Sequence, residues 1–308
     1  MYHVHCCKTK HMREWLSGGA LPCQGRGRGF DPRLALFIIS EFNPIAVYGV
    51  KLYTIGSAFM KIIRKIIICI LIIIIAYCAY NIIIYYTDSY NNKKVYKDIR
   101  NIAFNSSENS SPDSSSDIES FDRLNYNKLL NTNPDFAGWI KIKGTDIDYP
   151  VVQGTDNEYY LHHDFKKRNA VCGTIFIDSR CNISSGNNHL ILYGHQMKDD
   201  SMFKQLNNYK KDDFYKKHKE ITLYLNESVY TYEVVSVYVI TISHNIDYYN
   251  YINEDSRSAF INYINEEMLP CKLYDTGISI NENDSILSLS TCEYSSSDGR
   301  LIVLAKRI

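Results

Sequence analysis

The sequence lacks a net charge, since its 308 residues carry 34 Lys/Arg and 34 Asp/Glu. The balance hides a gradient, because residues 1–65 carry ten basic and three acidic residues, whereas residues 121–308 carry twenty and twenty-five. Nucleic-acid binding requires a clustered cationic face that neutralises phosphates. The mildly acidic C-terminal part has no such cluster, so the sequence argues against nucleic acid as a partner.

The sequence also lacks the cysteine spacing typical of metal and redox sites. Of its nine cysteines, five lie before residue 80, which leaves Cys172, Cys181, Cys271 and Cys292 for the rest of the chain. None of these four forms a C-x-x-C pair, and four scattered cysteines do not suggest a disulfide scaffold. We therefore predict no metal site and no cofactor. A bridge between Cys172 and Cys181 is an alternative to two buried thiols.

What the sequence does contain is one long apolar run. Residues 66–84 read IIICILIIIIAYCAYNIII, nineteen residues without a charge, and ~20 helical residues are needed to cross a bilayer core. Lys61, Arg64 and Lys65 precede the run, and Asp88 is the first charge after it. Because cationic flanks stay in the cytoplasm, we predict a single-pass signal anchor through residues 66–86, with the N-terminus cytoplasmic and the rest outside the cell membrane.

Three other interpretations of this run are less favoured. A cleavable signal peptide has a shorter apolar core and a small-x-small cleavage site, which A-Y-C-A matches only loosely. A lipoprotein site at Cys78 would require a small residue where Tyr77 stands. A buried core helix rarely holds so many consecutive apolar residues without a polar face.

These patterns divide the chain into four segments. Residues 1–59 concentrate Gly, Arg and His-Cys clusters, and Met60 opens the basic flank as a signal anchor commonly starts. We therefore predict that residues 1–59 are an artefactual or disordered extension, and that residues 60–86 are the cytoplasmic flank and the anchor. Residues 87–120 are polar and of low complexity, which predicts an extracellular linker. Residues 121–308 are predicted to fold.

After Phe121 the pattern changes to short β-type runs separated by turn residues. Eight such runs predict a mainly β, mainly antiparallel barrel or sandwich with peripheral helices. The predicted strands are Gly138–Ile142, Ile147–Val151, Gly173–Asp178, His189–Tyr193, Ile221–Leu225, Val229–Ile240, Ser285–Thr291 and Leu301–Lys306. The predicted helical segments are Phe121–Leu130, a turn near Met202–Leu206, Asp212–His218 and Ser256–Met268.

Two of these strands bring a thiol and a guanidinium together. SILSLSTC places Cys292 at a strand end, with Ser290 on the same face, and Arg300 begins the next strand after seven turn-type residues. If the strands pair as a hairpin, residues 292 and 300 face each other with Cβ atoms about 5 Å apart. A guanidinium there can stabilise an oxyanion and favour thiolate over thiol. The Glu293 N–H is a second candidate oxyanion donor, and Ser290 is a candidate substrate contact.

A proton carrier is also available at a strand end. His195, in LILYGHQM, directly follows an apolar strand at the entry to a polar loop, where catalytic side chains are often displayed. Its imidazole can act as acid toward a departing amine and as base toward an incoming one. His189, at the other end of the same strand, is the main rival. His162 and His163 lie in a charged segment that is more typical of a surface.

S-T-C followed by Arg eight residues later, together with an upstream Y-G-H at a strand end, resembles the signature of the sortase family. Carried over by motif, the nucleophile of the family falls on Cys292, its histidine on His195 and its arginine on Arg300. The family usually shows T-L-S-T-C, whereas this chain has Ser288 at the first position.

The likeness extends over roughly residues 121–308, including FAGWIKIKGTDIDYPVVQGTDNEYYLHHDF and GTIFID. The Tyr-Pro-Val-Val-Gln run and the helical insertion Ser256–Met268 resemble class B sortases in particular. The resemblance implies an eight-stranded sortase-type β-barrel as the catalytic domain, on the outer face of a Gram-positive cytoplasmic membrane.

The resemblance also implies a reaction. Such enzymes cleave a C-terminal sorting motif, NPxTx- or LPxTG-like, of a secreted protein, hold the acyl fragment as a thioester and pass it to an amine of the peptidoglycan precursor. The implied partners are secreted proteins bearing that motif, the precursor amine and the membrane. Two alternatives stay open: an extracellular cysteine hydrolase or protease with the same residues, and a non-catalytic surface-binding domain.

Overall fold

A computed structural model of the chain describes residues 55–104, 124–183, 189–242, 246–250, 257–268 and 271–308. These residues belong to two compact units, and the boundary between them falls between Thr87 and Asp88. The predicted extension 1–59 lies outside the described residues, except for 55–59, which begin a helix.

The first unit contains the start of helix α1, which runs from Ile55 to Phe104. From Met60 onwards, α1 is long and apolar enough to cross a membrane. Two polar side chains in or next to the apolar run are paired within the helix: the Asn81 amide donates to Tyr77 O at 2.7 Å, and the Thr87 hydroxyl donates to Ile83 O at 2.9 Å. Such internal pairing is what a lipid environment requires of a spanning segment.

The second unit begins with residues 88–104 of α1, which differ from the predicted polar linker over 87–120. Val95, Ile99 and Ala103 are buried and belong to the main hydrophobic core. Their spacing of four residues sets them on one helix face, and this stripe was hidden in the sequence by the charged residues between them. The linker prediction is therefore wrong for 88–104, and residues 105–120 lie outside the described part.

The remaining helices are short and peripheral. Helix α2 (Tyr126–Thr132) is capped by Asn125, whose side chain accepts from Lys128 N–H at 3.1 Å. Helix α3 is Asp212–Lys217, and helix α4 (Arg257–Tyr263) continues as a π-helical turn, Ile264–Met268. The turn predicted near Met202–Leu206 is a 3₁₀ segment, Lys204–Lys210, and two further 3₁₀ turns cover Tyr159–Leu161 and Ile246–Tyr249.

The centre of the second unit is a closed eight-stranded barrel in the order β1-β2-β3-β4-β7-β8-β6-β5, which confirms the predicted fold class. Strand pairs β2–β3 and β4–β7 are parallel and all others are antiparallel. The strands are β1 Phe136–Lys141, β2 Asp148–Val152, β3 Ile175–Ile177, β4 His189–Tyr193, β5 Glu220–Leu225, β6 Ser228–Thr241, β7 Ile286–Cys292 and β8 Gly299–Arg307.

Strands β4 and β7 lie side by side and are buried along most of their length. Leu190 and Leu192 on β4, and Leu287 and Leu289 on β7, are at most 2 % exposed. Burying such a side chain stabilises a fold by about 1.5–3 kcal/mol relative to leaving it exposed. The pair of strands that ends at the candidate site is therefore firmly held by the core.

Candidate active site

The hairpin formed by β7 and β8 sets Cys292 directly opposite Arg300, which confirms the predicted pairing. The Glu293 N–H donates to Gly299 O at 2.9 Å, so Glu293 and Gly299 form a hydrogen-bonded pair of the ladder. The neighbouring pair, Cys292 and Arg300, therefore occupies a non-hydrogen-bonded position. At such positions the two Cα atoms lie about 4.5 Å apart and the side chains are closest. The sulfur and the guanidinium therefore share one end of the hairpin.

The guanidinium of Arg300 is buried but not neutralised. Its residue is 8 % exposed, and its Nη1 donates to Gly299 O at 2.9 Å. Burial lowers the pKa of Arg300, while Tyr249 and Tyr193 raise it, and arginine stays cationic at neutral pH regardless. Within the described part of the chain it makes no ion pair. Most of its five donors are therefore available to an incoming oxygen.

His195 reaches the same region through the parallel pairing of β4 with β7. The register sets Tyr193 opposite Ser290, and the Gly194 N–H donates to Ser290 O at 3.2 Å, so the alignment continues past the strand end. If the alignment holds for the next residue pair as well, His195 lies next to Cys292. The electrostatic interaction of His195 with Arg300 agrees with this proximity.

The backbone around His195 is tightly fixed. The Thr291 hydroxyl donates to Gly194 O at 2.8 Å, and the Phe203 N–H donates to His195 O at 2.9 Å. A Cβ added to Gly194 would lie 2.6 Å from the Phe203 ring, so only glycine allows this approach. The strand-to-loop junction is thus set by packing as well as by hydrogen bonds.

The imidazole of His195 has one nitrogen occupied. Its Nε2 lies 2.8 Å from Leu161 O; a carbonyl only accepts, so Nε2 carries a proton and donates it. Nδ1 is then the nitrogen that exchanges a proton with a reacting group. Burial lowers the pKa of His195, with His162 and Arg300 adding to the effect and the Leu161 hydrogen bond opposing it. The neutral ring is therefore favoured at neutral pH.

The cysteines differ in their chemical state. The Cys292 sulfur is disulfide-bonded in this structure and stands in for the thiol or thiolate of the reduced protein. Cys172 and Cys181 are buried and not bridged to each other, so the alternative bridge is not formed. Burial raises the pKa of each to about 12, which keeps both thiols protonated and inert.

Two predicted substrate contacts are engaged elsewhere. The Glu293 N–H is bonded to Gly299 O, so it does not fit the predicted role of oxyanion donor. Burial raises the pKa of the Glu293 carboxyl, but hydrogen bonds from Lys210, at 2.5 Å, and from Ser295 outweigh it, and the net pKa is lowered. Ser290 is 1 % exposed, and its hydroxyl lies 2.9 Å from Tyr249 Oη, so it supports that tyrosine.

The rival histidines have structural roles. His189 Nε2 lies 2.8 Å from Ser288 Oγ, and its ring stacks on Phe260 with centroids 4.2 Å apart. The His163 ring stacks on Tyr159 with centroids 3.9 Å apart. Neither ring is aligned with Cys292 by a strand register.

Sequence reasoning missed the two tyrosines beside Arg300. Tyr193 and Tyr249 stack with centroids 6.1 Å apart, and the Tyr193 hydroxyl donates to Asp178 Oδ2 at 2.9 Å. With 26 tyrosines in the chain, no local signal distinguishes these two. The only sequence signal was that Tyr193 is the tyrosine of the Y-G-H motif, two residues before His195.

The family model of the sortase domain matches residues 140–308. The chain belongs to the sortase family. Sortases are cysteine transpeptidases. This sortase is 35 % identical to sortase B of Staphylococcus aureus over 197 residues, which are 60 % of this chain and 75 % of that protein.

Solved structures agree with this assignment. Sortase B of Clostridium perfringens is 38 % identical with a TM-score of 0.53, and the match covers 59 % of this sortase and 98 % of that chain. A Staphylococcus aureus sortase B–substrate complex is 31 % identical with a TM-score of 0.57, covering 72 % and 96 %. This sortase therefore resembles class B members in both sequence and fold.

Proposed function

We propose that Cys292 is the nucleophile of this transpeptidase, His195 its proton carrier and Arg300 its oxyanion-stabilising group. Two strand pairings at β7 support the proposal: β8 sets Arg300 opposite Cys292, and the pairing of β4 with β7, which ends at Tyr193 and Ser290, directs the chain at His195 toward the same strand end. In the proposed mechanism, the thiol, the imidazole and the guanidinium act at this strand end.

The first half-reaction is acylation. The Cys292 proton passes to Nδ1 of His195, and the thiolate attacks the carbonyl carbon of the scissile peptide bond. The oxyanion that forms accepts hydrogen bonds from the Arg300 guanidinium, whose charge is effective because the site is partly shielded from water. Collapse breaks the C–N bond, the departing amine takes the proton from His195, and a thioester remains.

The second half-reaction is transfer to an amine. The acceptor nitrogen attacks the thioester carbon and gives its proton to Nδ1 of His195, and the C–S bond then breaks to release the thiolate. The same guanidinium stabilises the second oxyanion. The neutral imidazole favoured by burial suits this step, which requires a base.

The substrates follow from the relatives. We propose that this sortase cleaves a C-terminal sorting motif of NPxTx or LPxTG type in a secreted protein and transfers it to a peptidoglycan amine. The likeness to a sortase B–substrate complex supports the first half of this assignment. We further propose that residues 66–86 anchor the enzyme in the cytoplasmic membrane with Lys61, Arg64 and Lys65 inside, following the positive-inside rule.

The test uses the full chain in detergent with a reductant, fluorogenic peptides containing candidate motifs, and a short amine acceptor such as triglycine. We expect cleavage, an acyl-enzyme mass on Cys292 and, with the acceptor present, a ligated product. Purely hydrolytic product at high acceptor concentration would refute transpeptidation and favour the hydrolase alternative.

Cys292→Ala is the decisive variant. It should abolish both turnover and the acyl-enzyme mass while leaving the melting temperature close to that of the parent, since the change trims one atom at a strand end. Cys271→Ala, a half-buried cysteine in another segment, is the matched control and should keep parental activity. Turnover by Cys292→Ala would contradict the assigned nucleophile.

A further inference from the structure

The loop that follows His195 is closed on itself and strained. Gln196 pairs with Met202 across it, and the Phe203 N–H closes it onto His195 O. Asp200 and Met202 have positive φ values, 64° and 56°, a left-handed backbone conformation that is strained for non-glycine residues. Such a loop keeps its conformation only when its surroundings hold it.

Residues 88–104 of α1 supply part of that hold. The Ser89 hydroxyl donates to Asp199 Oδ2, and Lys93 Nζ donates to Asp199 O at 3.0 Å. Asp199 in turn accepts from Ser201 Oγ at 2.6 Å inside the loop. Lys93 is 57 % exposed, so its ion pair contributes little, whereas Ser89 is buried. Ser89 is therefore the main contact of the helix with this loop.

The same helix face reaches the other anchor of His195. The buried Tyr96 hydroxyl donates to Gly173 O at 2.7 Å and lies 3.1 Å from Thr174 Oγ1. Gly173 packs against the backbone that carries Leu161, since a Cβ there would lie 2.9 Å from Leu161 O. That carbonyl is the one that accepts from His195 Nε2.

We propose that residues 88–104 hold His195 in its reactive orientation from two sides, with Ser89 and Tyr96 as positioning residues. Ser89 fixes the loop that carries the histidine backbone, and Tyr96 fixes the segment that carries the acceptor of its ring nitrogen. The helix segment is thus a functional part of the active site without touching the substrate. This inference rests on the proposed role of His195.

The test compares Ser89→Ala and Tyr96→Phe with two matched controls on the exposed side of the same helix segment, Asn91→Ala and Tyr90→Phe. The proteins are full chains in detergent with a reductant. Three quantities are measured: kcat and KM with a cleaved peptide, the melting temperature, and the His195 titration in ¹⁵N-histidine NMR, assigned with His195→Gln.

We expect Ser89→Ala and Tyr96→Phe each to lower kcat about five-fold, the factor that one hydrogen bond is typically worth, with little change in KM. The pKa of His195 should rise toward its ordinary value, because a looser loop exposes the ring, and the acid limb of the kcat–pH profile should move with it. Both controls should match the parent in all three measurements.

Unchanged kcat and an unchanged His195 titration would overturn the inference. So would a loss of kcat that merely follows a lower melting temperature while the titration stays in place. The titration does not depend on turnover, so it still decides the inference if the proposed function fails. Failure of the proposed role of His195 would be recognised separately, because the His195→Gln variant would then keep parental activity.

Discussion

At the scale of single residues, Arg300 is the most unusual side chain of this sortase. It is buried opposite Cys292, and its guanidinium donates a hydrogen bond to the backbone carbonyl of Gly299, whereas no carboxylate among the described residues forms an ion pair with it. A buried cation without an anionic partner is costly unless something else uses its donors. In the proposed mechanism, the oxyanion that forms during attack by Cys292 is such a partner.

Arg300→Lys should lower kcat/KM by about 10²-fold, since the loss of an oxyanion donor typically has this size and an ammonium cannot reproduce the planar fork. The measurement is steady-state peptide cleavage. Arg307→Lys, the same exchange at an exposed position of β8, should leave the rate unchanged. Near-parental activity of Arg300→Lys would remove the assigned role.

The protonation of His195 gives a second prediction. Burial and the nearby positive charges lower its pKa, so removing one charge with Arg300→Gln should raise that pKa while burial keeps it below the ordinary value. The imidazolium then persists to higher pH. An NMR titration of the ring checks this, with the exposed Lys198→Gln as a charge-matched control; equal titrations in both variants would argue against a shared site.

Residues whose placement depends on local geometry were predictable. Cys292 and Arg300 end and begin consecutive strands, so hairpin pairing brings them together without further information. Leu161 and Tyr249 were not predictable, because one acts through its backbone carbonyl and the other is one of many tyrosines. Their roles arise only from long-range packing.

At the scale of elements, the turn between β7 and β8 controls how closely the strands that carry Cys292 and Arg300 approach each other. A Cβ on Gly299 would lie 2.4 Å from Glu293 O and 2.8 Å from Ser296 Oγ. No rotamer change relieves a contact with backbone, so the turn itself must shift. Gly299 is therefore needed for the close pairing of Arg300 with Cys292.

Gly299→Ala should lower kcat at least about ten-fold by displacing Arg300 relative to Cys292, in line with the cost of small misplacements in active sites. Gly277→Ala is the contrasting variant. Its φ of +73° makes alanine strained, but no atom lies within 4 Å of the added Cβ. It should lose about 1 kcal/mol of stability and keep its kcat, which thermal melts and peptide assays distinguish.

Strands were predicted more accurately than helix α1. The predicted ends of β4 and β6 lie within two residues of the observed ends, because the local sequence pattern and the burial agree in these strands. The parallel neighbourhood of β4 and β7 could not be predicted, since it joins segments nearly a hundred residues apart. Residues 88–104 were missed because their apolar stripe becomes significant only when the barrel covers it.

At the scale of the whole molecule, the anchor prediction specifies which side of the membrane each end of the chain occupies: the N-terminus inside the cell and the C-terminus outside. A protease-sensitive tag after Ile308 should be cleaved on intact cells, whereas a tag before Met60 should be protected. Exchanging Lys61, Arg64 and Lys65 for Glu should reduce or invert this pattern, because the flanking cations determine orientation. Protection of the C-terminal tag in the parent would contradict the proposed topology.

Closure of the barrel restricts how a polypeptide substrate can bind. Each of the eight described strands has a hydrogen-bonded neighbour on both sides, so the sheet offers no vacant edge for β-augmentation by a guest chain. For the proposed sorting-peptide substrate, this leaves recognition to side chains and connecting loops at the rim. Selectivity among secreted proteins accordingly depends on a few pockets for particular side chains rather than on generic main-chain pairing, which every extended polypeptide could satisfy.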